Sequence, residues 1–133
     1  NHFSGPLGVG PYATKKDEVY RNWKKDLKGL AHCENVFAKL GGLAMPINGF
    51  NFEKNPSPPT SDEFMSLQRQ YYLTAIDFFG AERCMFESNF PVDKYSISYH
   101  VLWNAFKNLV KDFSKTEKSY LFYKTASNVY GIP

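Results

Sequence analysis

Apolar residues recur every three or four positions in four stretches of the chain, a spacing typical of amphipathic helices. The predicted helices cover residues 15–31, 60–79, 97–112 and 115–130. Thr14 is the predicted N-cap of the first helix, and Thr60 forms a capping box with Glu63 at the start of the second. Another capping box begins at Ser114, and Gly131 follows the last helix as its predicted end. The pattern therefore predicts a helix-rich chain.

Two short apolar runs between these helices have the length and composition of buried strands. They cover residues 35–40, followed by Gly41 and Gly42, and residues 83–88. Residues 43–59 carry prolines and glycines without periodicity and predict a long loop, which in compact domains is usually functional or disordered. Strands that alternate with helices favour a parallel sheet with right-handed crossovers.

Polar residues end the second predicted strand, where a plain turn would be expected. Side chains alternate along a strand, so Glu87 and Asn89 share one face with Arg83 and Met85, while Phe86 points to the other. A carboxylate and an amide at the end of an apolar strand are therefore the first candidates for chemistry.

Composition narrows the function classes. A chain of 133 residues fits one domain, and a net charge of +3 without a dense basic stripe argues against a nucleic-acid partner. No apolar run approaches the roughly 18 residues of a membrane span, so we expect no membrane partner. Cys33 and Cys84 lie far apart without metal-type spacing, which favours reduced thiols and a cytoplasmic location.

Three segments resemble the amidohydrolase-2 group of predicted metal-dependent hydrolases, within the amidohydrolase superfamily. NHFSGP is similar to the His-bearing end of the sixth barrel strand, CENVFAKLGGL to the seventh strand, and GAERCMFESNFPVDK to the eighth. The closing TASNVYGI is similar to the terminal helix of the family. The resemblance implies an α/β fold: the C-terminal portion of a (β/α)8 TIM barrel, from the end of strand six through strand eight plus the terminal helices.

The same resemblance implies that residues 1–133 form a single unit of a larger barrel. A complete (β/α)8 barrel has eight strands and about 250 residues, whereas this chain has two predicted strands and the end of a third, and it lacks an initial Met. We therefore expect a truncated product or a fragment. Its uncovered interior would expose Phe37, Met85 and Glu87, and this predicts a homo-oligomer or a complex with the N-terminal barrel portion.

The resemblance also assigns candidate catalytic residues. Asn89 stands where the family has an Asp that ligates metal or takes a proton from the attacking water, and an amide cannot act as a base near neutral pH. Either the mechanism is altered, or Glu87 has taken the carboxylate role; alternatively, Glu87 is structural and pairs with Lys39 or Arg83. His2 is implied to bind substrate or transfer protons. On this interpretation, Asn89→Asp is expected to be tolerated or to improve metal binding.

Lys39, Phe90 and Asp93 are the candidate substrate-binding residues. Lys39 is predicted to point inward, where it binds an anionic substrate group or neutralises Glu87. Phe90 and Asp93 are predicted to line the rim, since loops at the carboxyl ends of the strands set substrate choice in this fold.

The family implies a divalent metal, zinc, in the full-length protein. The His-x-His pair of its first strand has no counterpart here, and one His with one Asn is poor ligation for catalytic zinc, which has three protein ligands. No metal ligand is therefore assigned in this chain, and none is expected to bind firmly to it alone.

The predicted function is that of an amidohydrolase-superfamily hydrolase. It would act on a small, carboxylated, lactone- or amide-type substrate by means of activated water. The alternatives are a decarboxylase-type relative and a non-catalytic half-barrel that oligomerises or pairs with another chain.

Overall fold

The computed structural model describes all residues, 1–133, with five α-helices, two strands, six short 3-10 turns and a π-helical turn. The strands are β1 (Ala38–Leu40) and β2 (Cys84–Phe86). The helices are α1 (Lys16–Ala31), α2 (Ser61–Phe79), α3 (Tyr99–Leu109), α4 (Lys115–Ser119) and α5 (Thr125–Tyr130). The π-helical turn, Tyr120–Lys124, joins α4 to α5 without a break. None of the helices is long and apolar enough to cross a membrane.

The two strands are parallel neighbours, as predicted, and α2 makes the crossover between them. Lys39 lies opposite Met85 in the register, and the Glu87 N–H donates to the Leu40 carbonyl at 3.1 Å just beyond the ladder. Each strand has three residues rather than the predicted six, because the pairing with its single neighbour covers only three positions.

The hydrophobic core lies between the sheet and the helices. Phe86 is 8% exposed; its ring stacks on Phe106 with centroids 4.5 Å apart and contacts Phe122 at 4.9 Å. This confirms that Phe86 points away from Glu87 and towards the helices. Cys84, on the same face, is buried, while Cys33 is exposed, and both thiols are free.

The first residues do not form the predicted end of a strand. His2–Ser4 is a 3-10 turn, and the φ angles of His2, Phe3 and Ser4 are +52°, +53° and +60°, which extended backbone does not allow. Phe3 is buried, and its carbonyl accepts a 2.6 Å hydrogen bond from the Trp23 Nε1–H of α1. Helix α1 therefore fixes this segment, and with it His2, in place of a strand ladder.

Helix ends follow the predicted capping signals in part. Thr60 and Ser114 both form complete capping boxes, and Gly131 ends α5 in the left-handed region, as predicted. The predicted cap at Thr14 is wrong, since α1 begins after Lys15 without a side-chain cap. Helix α3 begins later than predicted because the Ser98 hydroxyl accepts a hydrogen bond from the Val101 N–H and forms the N-cap.

Met85 corrects the prediction that the inner faces of the strands are uncovered. It is 3% exposed, whereas Phe37 is 41% exposed. The C-terminal helical segment contacts β2. Of the three residues whose exposure predicted an oligomer, Phe37, Met85 and Glu87, Met85 is therefore not exposed.

Arg83 does not share a face with Glu87, because it belongs to the 3-10 turn Ala81–Arg83 that precedes β2. Its guanidinium donates to the carbonyls of Ala31 at 2.9 Å, Cys33 at 3.0 Å and Phe79 at 3.1 Å. Arg83 is therefore excluded as the partner of Glu87, and it caps the carboxyl end of α1 instead.

Arg83→Met is expected to lower the free energy of unfolding by about 2–4 kcal/mol, since hydrogen bonds to charged groups contribute about 1.5–3 kcal/mol each and part of this group stays hydrated. Urea unfolding measures the change. Arg69→Met, at an exposed arginine of α2, is the matched control. Equal stability of the two variants would contradict the capping role.

Candidate active site

Glu87 is held between two of the predicted site residues at the carboxyl ends of the strands. Its Oε1 lies 2.7 Å from His2 Nδ1, and its Oε2 lies 2.8 Å from Lys39 Nζ. The backbone N–H of His2 also donates to Oε1 at 3.3 Å. The Glu87 side chain is 12% exposed, Lys39 28% and His2 37%. The structure therefore brings three residues from distant parts of the chain into one partly buried cluster.

Two glycines after β1 make room for this cluster. A Cβ at Gly41 would lie 2.4 Å from Glu87 Cγ and 2.1 Å from the Glu87 carbonyl oxygen. A Cβ at Gly42, whose φ is +80°, would lie 2.7 Å from His2 Nδ1. Because real Cβ contacts are never this short, only glycine fits at either position. The glycines that predicted the end of a strand therefore also shape the site.

Glu87 and Lys39 each stabilise the charged form of the other. Burial raises the pKa of Glu87, but the hydrogen bond from Lys39 and the charges of His2 and Lys39 outweigh burial, and the net pKa is lowered. The hydrogen bond to Glu87 raises the pKa of Lys39. Glu87 is thus a carboxylate and Lys39 an ammonium at neutral pH.

Asn89 and Asp93 form a second pair next to the cluster. Asn89 Nδ2 donates to Asp93 Oδ1 at 2.7 Å, and the Asp93 N–H donates back to the Asn89 carbonyl at 3.1 Å. Asp93 is 1% exposed, so it lies beneath the rim and not on it as predicted. Burial raises its pKa to about 6, against the hydrogen bond from Asn89, which lowers it. This pair reverses the expectation for Asn89→Asp, which would place two carboxyl groups in contact.

The remaining predicted residue, Phe90, is half-buried. Its ring packs edge-on against Tyr99 at 5.2 Å, and the structure places no charged partner on it. The exposed side chains of this loop are its neighbours Pro91, Val92, Lys94 and Tyr95, of which Tyr95 is 83% exposed.

Sequence reasoning missed two tyrosines at the site. Tyr72 is fully buried with its hydroxyl unpartnered, and the charges of Asp93 and Glu87 act on it. Tyr130, in the last turn of α5, interacts with the Lys39 ammonium. Tyr72 is the neighbour of a residue on the apolar face predicted for α2, so the helical spacing did not select it. Tyr130 is far from Lys39 along the chain, so no nearby sequence pattern indicated their contact.

Together, a parallel βαβ unit and polar side chains beyond its strand ends define an α/β protein with its site at the carboxyl edge of the sheet. No group of three or more His, Cys, Asp or Glu side chains is placed to hold a metal ion.

A family model described as Amidohydrolase matches residues 1–132. The chain therefore belongs to the amidohydrolase family, and its helix-rich α/β fold matches part of the TIM barrel of that family.

Similar proteins are longer than this chain. Uncharacterized protein y4mH of Sinorhizobium fredii (strain NBRC 101917 / NGR234) is 40% identical over 113 residues, which are 85% of this chain and 34% of that protein. A crystal structure of an amidohydrolase from Burkholderia multivorans with bound zinc has a TM-score of 0.80, and one with bound HEPES has a TM-score of 0.81. Both are 25% identical to this chain and cover 99% of it, but only 43% of their own length is matched.

Proposed function

We propose that the complete protein is a hydrolase that uses activated water on a small, carboxylated substrate of the lactone or amide type. Membership of the amidohydrolase family supports the reaction class. The observation that carries the proposal is the cluster in which Glu87 contacts both His2 and Lys39 at the carboxyl ends of the strands. A (β/α)8 barrel carries its chemistry at that end.

His2 is the proposed base. A carboxylate only accepts hydrogen bonds, so the 2.7 Å contact with Glu87 requires a proton on Nδ1, and in the neutral imidazole Nε2 then carries a free lone pair. Nε2 takes a proton from water, the water oxygen bonds to the carbonyl carbon, and the C–O or C–N bond breaks as the imidazolium returns the proton to the leaving group. Glu87 holds the ring and stabilises its charged form, as its lowered pKa suits it to do.

Lys39 is the proposed recognition group for the substrate carboxylate. One of its three N–H donors is engaged by Glu87, and the others remain for Tyr130 or an anion. Its side chain is 28% exposed, so a substrate can reach it. The cation next to the base places the substrate carbonyl near the activated water.

A divalent metal in the complete protein is supported by the zinc bound to the Burkholderia multivorans amidohydrolase. The donors of this chain do not fit zinc by themselves. Both Glu87 oxygens are engaged by His2 and Lys39. Among His2, Glu87 and Asn89, this leaves two free donor atoms, His2 Nε2 and Asn89 Oδ1. Zinc in a catalytic site has three protein ligands. We therefore assign no step of the reaction to a metal held by these residues.

A substrate panel tests the proposal. Small lactones and amides, each with a free carboxylate and as the methyl ester, are offered to the complete protein. We expect kcat/KM to be about 10–100-fold higher for the free acids, because a charged hydrogen bond contributes about 1.5–3 kcal/mol. Equal rates for acid and ester would contradict the role of Lys39, and the absence of hydrolysis across the panel would contradict the proposed activity.

A further inference from the structure

Asp93 is a buried carboxylate that the proposed reaction does not use. It is 1% exposed and lies in the 3-10 turn Val92–Tyr95, in the loop after β2. Its carboxylate accepts a hydrogen bond from the side chain of Asn89, four residues earlier in the same loop. A carboxyl group in such a place requires a reason, since unpaired burial of a charge is strongly unfavourable.

The Asn89–Asp93 contact fixes which way the Asn89 amide faces. An ionised carboxylate has no hydrogen to donate, so the group 2.7 Å from Asp93 Oδ1 must be the NH2 of Asn89. The carbonyl oxygen of Asn89, Oδ1, then faces away from Asp93. It accepts no hydrogen bond from the protein and is not among the buried polar atoms that lack a partner, so part of its surface reaches solvent.

The backbone holds Asn89 in the same orientation. Its φ of +53° lies in the left-handed region, which Asn adopts more readily than most residues. Its carbonyl accepts from the Asp93 N–H at 3.1 Å, so the turn is closed by one backbone bond and one side-chain bond. Asn89 therefore has little freedom to turn its amide over.

We propose that Asp93 is a positioning residue that fixes Asn89 as a hydrogen-bond acceptor at the mouth of the site. Asn89 Oδ1 accepts from the attacking water or from an N–H or O–H of the substrate, while Asp93 itself contacts neither. The effect on turnover rests on the proposed function; the orientation of the amide does not.

Asp93→Asn separates positioning from structural support. The variant keeps the size of the side chain and one hydrogen bond between positions 89 and 93. Either amide can donate to the other, however, so for part of the time Asn89 Oδ1 accepts from the new amide at position 93 and is not available to the site. We expect kcat/KM of the complete protein to fall about 3–10-fold with KM nearly unchanged, the loss that a partly misoriented acceptor gives. Asp77→Asn, at an exposed carboxylate of α2, is the matched control.

The exchanged double variant, Asn89→Asp with Asp93→Asn, supplies the rescue. A carboxylate at position 89 accepts from the new amide with one oxygen and presents the other to the site, so the acceptor is fixed again. We expect the double variant to recover at least half of the lost kcat/KM. Unchanged kcat/KM in Asp93→Asn, or no recovery in the double variant, would overturn the positioning role.

Nuclear magnetic resonance of the 15N-labelled protein tests the orientation without any substrate. Well above the pKa of about 6 of Asp93, one Asn89 Nδ2 proton should be shifted downfield and protected from exchange. Asp93→Asn should lower that protection at least tenfold, and Asp77→Asn should leave it unchanged. An unprotected Asn89 amide in the unsubstituted protein overturns the inference, even if the panel of substrates is hydrolysed.

Discussion

Glu87→Gln is expected to lower kcat of the complete protein by about 10²–10⁴-fold, the contribution that a positioned proton-transfer group typically makes. In the unsubstituted protein, Glu87 requires the His2 proton to be on Nδ1 and stabilises the imidazolium that forms at Nε2. A neutral amide can donate to Nδ1 as well as accept from it, so neither function survives.

The same substitution removes the charge that Lys39 faces at 2.8 Å. Breaking a fully buried pair costs about 3–5 kcal/mol and an exposed pair about 0–1 kcal/mol. Because the Lys39 side chain is 28% exposed, we expect a loss of about 1–3 kcal/mol in the free energy of unfolding, between those limits. Glu82→Gln, at an exposed glutamate without an ion pair, is the control for both measurements.

Turnover and unfolding measured on one variant separate the two interpretations of Glu87. If Glu87 only neutralises Lys39, stability falls while kcat stays nearly unchanged. If Glu87 acts through His2, the His2→Gln and Glu87→Gln losses should not add, since residues that act as a unit are strongly non-additive. If the fall in kcat of the double variant equals the product of the falls in the two single variants, His2 and Glu87 do not act as a unit.

Stability is expected to fall as the pH rises from about 4 to about 6.5, because Asp93 binds its proton more tightly in the folded protein. Burial raises its pKa from 3.8 to about 6. Between those values the folded state holds more protons than the unfolded state, so the free energy of unfolding decreases with pH. A shift of this size corresponds to a decrease of about 3 kcal/mol, at about 1.36 kcal/mol per pKa unit.

Asp93→Asn should abolish this slope, since an amide does not titrate in this range. The lowered pKa of Glu87 acts in the opposite sense: its contribution is present above the unfolded pKa near 4.5 and is lost as the pH falls through the folded pKa. The two effects therefore lie in adjacent windows, with maximum stability expected between them. Urea unfolding at closely spaced pH values across both windows measures both, and a flat profile from about 4.5 upward in the unsubstituted protein would contradict the burial of an ionisable Asp93.

Local sequence was sufficient for the architecture around the site. The helical spacing of apolar residues and the capping box at Thr60 predicted α2. Short apolar runs next to Gly42 and Gly80 predicted both strands, and the alternation of strands with helices predicted that the strands are parallel. Two-residue alternation placed Glu87 with Met85 on one face of its strand and Phe86 on the other, and the family resemblance implied that the Glu87 face points inward. These features depend on backbone geometry and neighbours a few residues away, and that information is present in a single sequence.

Sequence could not determine which way a chain segment turns when distant partners hold it. Phe3 gives its carbonyl to Trp23, and this bond makes the first residues a 3-10 turn in place of a strand end. Arg83 is the first residue of the predicted strand 83–88, yet its guanidinium binds the free carbonyls at the end of α1 and points away from Glu87. In both cases the contact joins residues that are far apart along the chain.

Tertiary structure also decided the roles within the site. The sequence left Lys39 and Arg83 as possible partners of Glu87, and it left open whether Glu87 is catalytic or structural. Only the folded chain places His2 and Lys39 on its two carboxylate oxygens. Asp93 was predicted at a rim because loops at the carboxyl ends of the strands set substrate choice in this fold. The structure instead buries Asp93 beside the amide of Asn89, and burial raises its pKa. Residue types and spacing determined which groups are available at the strand ends. Their protonation, orientation and pairing depend on burial and on the electrostatic field of neighbours, which arise only when separate segments pack together.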